Sequence, residues 1–118
     1  MLRRSIAGLF VPLLYLVPVL GQDAMQYHVR QLKIVAQDSK VRVLNYAPHK
    51  GEKTPMHSHP NLVVYSLTGG TIKSTTADGK TTIVTTKAGQ VGWRDAQTHI
   101  SENVGKTEIH ALGIELKK

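Results

Sequence analysis

The 118-residue sequence contains no cysteine. Disulfide bonds and thiolate metal ligands are therefore both excluded, and a bound metal ion would have to be held by histidine or oxygen ligands. A chain of this length has room for one hydrophobic core and one site. The absence of thiols thus directs attention to the six histidines.

Aromatic residues and clustered charges are also scarce. Only 5% of the residues are aromatic, and the net charge of +7 is scattered along the chain rather than concentrated in one stretch. Nucleic-acid-binding surfaces combine a basic stripe with aromatic side chains on which bases stack. We therefore expect no nucleic-acid partner.

Long apolar runs are absent except near the start, where Arg3 and Arg4 precede the apolar residues 6–20. This order is typical of a secretory signal peptide. The run contains two prolines and is shorter than the roughly 20 residues that span a bilayer. The sequence predicts a signal peptide over residues 1–21 and a single domain over 22–118, periplasmic or secreted and without a stable membrane span after cleavage. An uncleaved membrane anchor is the alternative.

No long helical periodicity follows this segment. Apolar and polar residues alternate instead, with turn residues every 8 to 12 or so positions, which is typical of an all-β sandwich or barrel. Asp78-Gly79 predicts a two-residue hairpin turn. The expected strands are 29–35, 41–47, 62–67, 71–76, 81–86, 91–94, 99–103 and 107–116.

Two of the histidines, His57 and His59, are separated by one residue between prolines. On a strand such residues point to the same side, with Cα atoms about 6 to 7 Å apart. Two imidazoles leave a metal site undefined, and His99, at the start of a predicted strand, is the natural third ligand. The alternative interpretation is that His57 and His59 belong to a solvated loop.

The spacing around these histidines resembles the two motifs of the cupin superfamily. Gly51 is followed after five residues by His57-Ser58-His59 and after ten more by Gly70, and the stretch 89–103 contains His99 and Asn103. The resemblance implies a cupin-type jelly-roll barrel, a double-stranded β-helix in which the motifs occupy neighbouring strands. It also implies that their histidines hold one divalent metal ion, Fe, Mn, Cu, Ni or Zn, inside the barrel.

The sequence departs from the family pattern at two places. Val63 and Val64 stand where a glutamate ligand is usual, and Arg94 and Ala96 stand where proline and glycine are usual. A site of three histidines without the carboxylate carries one more positive charge, which should favour anionic ligands. Some cupins that oxidise small molecules with iron and dioxygen use three histidines in this way.

The last predicted strand places His110 among Leu112, Ile114 and Leu116, on the more apolar face. We expect that face to point inward. His110 is then a candidate catalytic acid or base, a fourth ligand, or a core histidine with one hydrogen-bond partner. His28, His49 and the lone Trp93 complete the residues of interest.

We expect His28 and His49 at the surface, and Trp93 in the core rather than stacked on a substrate. Two hypotheses imply a small-molecule ligand. The first is an enzyme, a metal-dependent dioxygenase or a related lyase or isomerase, that acts on a small anionic or oxygenated substrate. The second is a non-catalytic module that binds a carboxylate or sugar through its metal. A purely structural metal is the third. Exposed strand edges favour a homodimer.

Overall fold

The computed structural model of the protein describes residues 29–118. The predicted signal peptide and His28 lie outside these residues. Within them the chain forms only strands, turns and irregular segments, which agrees with the prediction of an all-β protein. The described part contains no helix long and apolar enough to cross a membrane.

Residues 29–118 form nine strands in two antiparallel sheets. The five-stranded sheet has the order β1-β2-β9-β4-β7 and the four-stranded sheet the order β3-β8-β5-β6. This arrangement confirms the predicted jelly-roll barrel. The strands are β1 (Leu32–Gln37), β2 (Val41–Tyr46), β3 (His57–His59), β4 (Leu62–Ser66), β5 (Gly70–Thr76), β6 (Thr81–Thr86), β7 (Val91–Arg94), β8 (Gln97–Asn103) and β9 (Ala111–Leu116).

The predicted strand limits differ from the observed ones mainly at the two ends of the domain. The first strand starts at Leu32 because the preceding residues form a turn, in which the Leu32 N–H donates to the Val29 carbonyl at 3.0 Å. The last strand starts at Ala111, four residues later than predicted. Between β8 and β9, the buried Asn103 side chain binds the loop by donating to the Thr107 carbonyl at 2.9 Å.

The β5–β6 hairpin has a three-residue loop rather than the predicted two-residue turn. The Thr76 N–H donates to the Lys80 carbonyl and the Gly79 N–H to the Thr76 carbonyl, at 2.9 and 2.8 Å. Gly79 has a φ of +86° and follows the turn in the left-handed conformation. The Asp-Gly pair is used at the last two loop positions, since the strand pairing places Ala77 inside the loop as well.

The predicted inward face of β9 is wrong. Ala111, Gly113 and Glu115 are buried, whereas Leu116 and His110 are exposed. The number of apolar residues on each face does not indicate which face of β9 is buried, because β9 lies in the middle of its sheet, where small side chains fit. A Cβ atom at Gly113 would already lie 3.4 Å from Leu62. The one large inward residue, Glu115, is stabilised by partners from other strands.

The barrel interior is only partly apolar. Val29, Leu32 and Leu44 form a buried cluster with Tyr46 packed against it. Much of the remaining interior is polar; the buried polar side chains of the described residues are Gln31, Thr54, His57, Ser66, His99, Ser101, Asn103 and Glu115. Buried polar groups require hydrogen-bond partners, so the fold must supply a specific network around them.

Candidate metal centre

The pairing of β3 with β8 brings the three predicted histidines together. His57 lies directly opposite His99 in the antiparallel pair, and His59 lies opposite Gln97. Because side chains alternate along a strand, His57, His59 and His99 all point to the same side of this two-strand unit. The two histidines thus belong to a three-residue strand and not to the solvated loop of the alternative interpretation.

The imidazole rings converge on one point. The Nε2 atoms of His57 and His59 are 3.0 Å apart, and one ligand atom from each of the three histidines lies within 4.8 Å of the others. Two nitrogen ligands at right angles, each about 2.1 Å from one ion, would be about 3.0 Å apart. The spacing of the Nε2 atoms therefore fits a shared metal ion.

The second nitrogen of each ring is held by a different group of the protein. The three pairs are His57 Nδ1 with the Pro55 carbonyl at 2.8 Å, His59 Nδ1 with a Glu115 carboxylate oxygen at 2.5 Å, and His99 Nδ1 with the Ser74 hydroxyl at 2.8 Å. A carbonyl or carboxylate oxygen can only accept, so Nδ1 of His57 and of His59 carries the proton. Partners of this kind orient metal-binding histidines.

The Nε2 atoms of the cluster have no partner outside the three histidines. Nε2 of His99 is the only buried side-chain nitrogen or oxygen among residues 29–118 without a hydrogen bond. The Nε2 atoms of His57 and His59 face each other at 3.0 Å. A buried polar atom left unpaired costs about 1–3 kcal/mol. A cation between the three nitrogen atoms would satisfy all of them.

Burial keeps two of the three rings neutral. It lowers the pKa of His57 to about 4, against the smaller opposing effect of the Pro55 carbonyl. Burial is also the main reason why the pKa of His99 falls to about 3, with a further contribution from the charges of His57 and His59. Metal ions bind neutral imidazole, so these rings are ready to coordinate at neutral pH.

Glu115, which is 1% exposed, is a residue of the site that the sequence does not predict. One carboxylate oxygen accepts from His59, and the other accepts from Arg42 Nε at 2.8 Å and Nη2 at 2.6 Å. Glu115 lies opposite Arg42 on β2 and opposite Leu62 on β4. The family pattern has its carboxylate after His59, where this chain has Val63 and Val64; the signal for Glu115 is an acidic residue that alternates with Ala111 and Gly113 on β9.

Two other predicted residues lie away from the cluster. His110, the candidate catalytic residue, is exposed, and its Nε2 contacts the Asn45 side-chain oxygen at 2.5 Å. The prediction that it faces the barrel interior is wrong because β9 turns its small residues inward. Trp93 is also not in the core: it is 51% exposed and donates from Nε1 to Asp95 at 2.8 Å. His49 is exposed, as predicted.

A cavity of about 300 Å³ opens beside the histidines. Apolar side chains line it from the five-stranded sheet, including Leu44, Leu62 and Val64. Residues with hydroxyl groups line it from the four-stranded sheet, including Thr82 and Thr86. The volume is at the lower end of the range for small-molecule sites, which restricts the ligand to a small molecule.

The stability of the metal-free protein should depend on pH because of the buried rings. In an unfolded chain histidine titrates near 6.5, so between about pH 6.5 and 5 the unfolded chain binds protons that His57 and His99 do not bind when folded. The free energy of unfolding is then highest above this range and falls as the pH is lowered. Each of the two histidines contributes a slope of up to about 1.4 kcal/mol per pH unit.

Urea denaturation in the presence of a chelator measures this slope, and the window from about pH 6.5 to 5 lies above the usual titration range of carboxylates. A His99→Gln variant should show a shallower slope than the original protein, whereas a variant of the exposed His49 should not. An unfolding free energy that stays constant over this window would contradict the assignment.

No family model matches the sequence, and no curated protein matches it. Solved structures do resemble the chain. A cupin domain from Bordetella pertussis Tohama I has a TM-score of 0.67 at 22% identity, over 83% of this chain and 97% of that chain. A double-stranded β-helix protein from Klebsiella pneumoniae has a TM-score of 0.58 at 19% identity, over 72% and 70% of the two chains.

An RmlC-like cupin family protein from Methanocaldococcus jannaschii has a TM-score of 0.58 at 12% identity and covers 73% of this chain and 78% of its own. At such identities the likeness concerns the fold. The two-sheet topology and the position of both histidine motifs on the adjacent strands β3 and β8 agree with it. The chain therefore has the double-stranded β-helix fold of the cupins.

Proposed function

We propose that the protein binds one divalent metal ion through Nε2 of His57, His59 and His99, and acts as a metal-dependent oxygenase on a small anionic or oxygenated substrate. The observation that supports the metal site is that the two nitrogen atoms of each ring have different surroundings. Their Nδ1 atoms are held by protein groups, while the Nε2 atoms converge, and that of His99 has no other partner.

Three imidazole ligands on one side of an ion leave coordination positions open on the other side. Imidazole suits iron, copper, nickel and zinc, and such an ion would supply a Lewis acid or a redox centre next to the cavity. The chain itself supplies orientation. Glu115 fixes the ring of His59, Ser74 fixes that of His99, and apolar side chains form one wall of the cavity.

Tyr46 supplies a proton donor in the cavity wall. Burial raises the pKa of its phenol to about 12, so the hydroxyl stays protonated at neutral pH. It lies 2.5 Å from the hydroxyl of Ser101, which also lines the cavity. The pair can exchange hydrogen-bond roles and adapt to an oxygen atom of a bound substrate.

A non-catalytic metal-dependent binding module is the second candidate. It is favoured by the composition of the cavity wall, where the described lining residues include no carboxylate and no histidine beyond the three of the cluster. Reactions that need a conventional general base would have to obtain it elsewhere. Turnover therefore depends on the chemistry of the metal, and binding alone is the simplest use of the same site.

Elemental analysis of protein purified without an affinity tag tests the metal site. The original chain should bind about one metal ion, and His57→Ala and His99→Ala should each lose most of it, because two remaining imidazoles hold a metal ion weakly. His49→Ala and His110→Ala change exposed histidines of the same chain and should retain the metal. Equal metal contents in all four variants, or a metal-free chain after reconstitution, would refute the proposal.

Replacing Glu115 by Gln should weaken metal binding by about 10- to 100-fold, because the partner that orients and polarises His59 is lost. Competition with a chromophoric chelator measures the dissociation constant at a temperature where circular dichroism shows the variant folded. Glu108→Gln is the matched control, since Glu108 is exposed and its histidine partner is His49, which lies outside the cluster. An unchanged dissociation constant for the Glu115 variant would show that this contact serves the fold alone.

Oxygen consumption by iron-loaded protein separates the two candidate functions. We expect uptake of dioxygen with at least one member of a panel of small carboxylic acids and sugar acids, and its loss in His57→Ala. Calorimetric binding of an acid that depends on the metal, with no oxygen uptake, would favour the binding module. Full activity with a redox-silent ion such as zinc would contradict an oxygenase.

A further inference from the structure

We propose that Arg94 anchors the anionic end of the ligand, and that the cavity takes small monocarboxylic acids with a short apolar body. The assignment extends the proposed function. The claim that the bound acid is the substrate rests on that function, whereas the claim that Arg94 binds the acid does not. It concerns a residue that lies outside the histidine cluster, on the opposite sheet.

Arg94 points into the barrel because of the alternation along β7. Val91 and Trp93 are more than half exposed, whereas Gly92 and Arg94 are half-buried. Arg94 lies opposite Leu62 on β4, and both residues line the cavity. A charged side chain on an inward-facing position is costly unless it has a partner or contacts water or a ligand.

The space for the guanidinium group is provided by the neighbouring inward residue. A Cβ atom at Gly92 would lie 2.9 Å from Arg94 Nη1, so the side chain of Arg94 folds back over the glycine. In this position Nη1 donates to the Trp93 carbonyl at 3.0 Å. The remaining donors of the guanidinium group are available for a planar acceptor such as a carboxylate.

The charge of Arg94 is not balanced by a carboxylate of the cavity wall. The described lining residues include no Asp or Glu, and no ion pair joins Arg94 to another described residue. Arg42, the arginine beside the histidine cluster, differs because it is bound to Glu115. Arg94 thus gives the cavity a positive charge that is matched by an anionic ligand.

The two walls define the rest of the ligand. Leu44, Leu62 and Val64 form an apolar surface, while the polar residues Thr82 and Thr86 line the other side. A carboxylate on Arg94 places the short body of the acid between these walls, in a cavity that His57, His59 and His99 also line. Arginine binds a carboxylate through two parallel hydrogen bonds, whereas an amide of the same shape lacks the charge.

The test uses butanoate and its uncharged analogue butanamide as probes, with the zinc-loaded full chain observed by ¹H–¹⁵N NMR titration. Butanoate should bind the original protein more tightly than butanamide. Arg94→Gln should raise the dissociation constant for butanoate by about tenfold or more, as expected for loss of hydrogen bonds to a charged group. Arg94→Lys should give an intermediate value, since it keeps the charge and loses the paired geometry.

Arg30→Gln is the matched control, because Arg30 is exposed and bound to Glu52. The substitution removes the same unit of charge at a position away from the cavity. Its dissociation constant for butanoate should equal that of the original protein. Butanoate binding that is equal in the original protein and Arg94→Gln, or absent from the original protein, would overturn the assignment of Arg94. Weakening of the same size in Arg30→Gln would overturn it too.

Metal content measured on the same samples separates this inference from the proposed function. An original chain that fails to bind zinc, yet binds butanoate in an Arg94-dependent manner, would support the anion site and contradict the metal-dependent function. A chain that binds zinc but whose affinity for butanoate is independent of Arg94 would overturn the anion site and leave the metal centre standing.

Discussion

The bridge that Glu115 forms between Arg42 and His59 is the interaction on which the interior of this barrel depends. Arg42 and Glu115 belong to the five-stranded sheet and His59 to the four-stranded sheet, so one carboxylate joins the two layers. A buried charge that loses one of its partners destabilises a protein by several kcal/mol. The orientation of His59 and the closure of the barrel are therefore parts of the same network.

This network explains how a small barrel tolerates a polar interior. Apart from Pro48, only six apolar side chains of the described residues are buried, and a cavity occupies space that a larger core would fill. Each buried imidazole has its Nδ1 atom satisfied by the protein, which leaves the Nε2 atoms as the unsatisfied part. A bound ion would stabilise the folded state by mass action, in addition to any role in catalysis.

The histidine cluster could be predicted from the sequence because it depends on a simple regularity. Side chains two apart on a strand share a face, so a strand over this segment places His57 beside His59 independently of distant contacts. The pairing with His99 followed from the resemblance to the two motifs. Contacts that depend on the assembly of distant strands were not accessible in this way. Glu115 reaches His59 across the barrel, from 56 residues away.

The face of β9 shows the limit of counting apolar residues. Inward positions of a small barrel are restricted by volume, so Ala111 and Gly113 are inside, while the larger Leu116 is exposed. His110 is exposed for the same reason. The hairpin loop shows a limit of turn signals, since Asp78-Gly79 fits both a two-residue and a three-residue loop. The pairing of Thr76 with Lys80 determines that the three-residue loop forms.

The two departures from the cupin motifs act in the same direction. Val64, at a position where the motif has a glutamate, lines the cavity as an apolar residue and removes a negative charge from it. Arg94, at a position where the motif has a proline, lines the same cavity and adds a positive charge. Because Coulomb interactions strengthen where water is scarce, both changes favour the anionic ligand that we propose. A ligand that places its carboxylate on Arg94 and its body beside Val64 makes use of both.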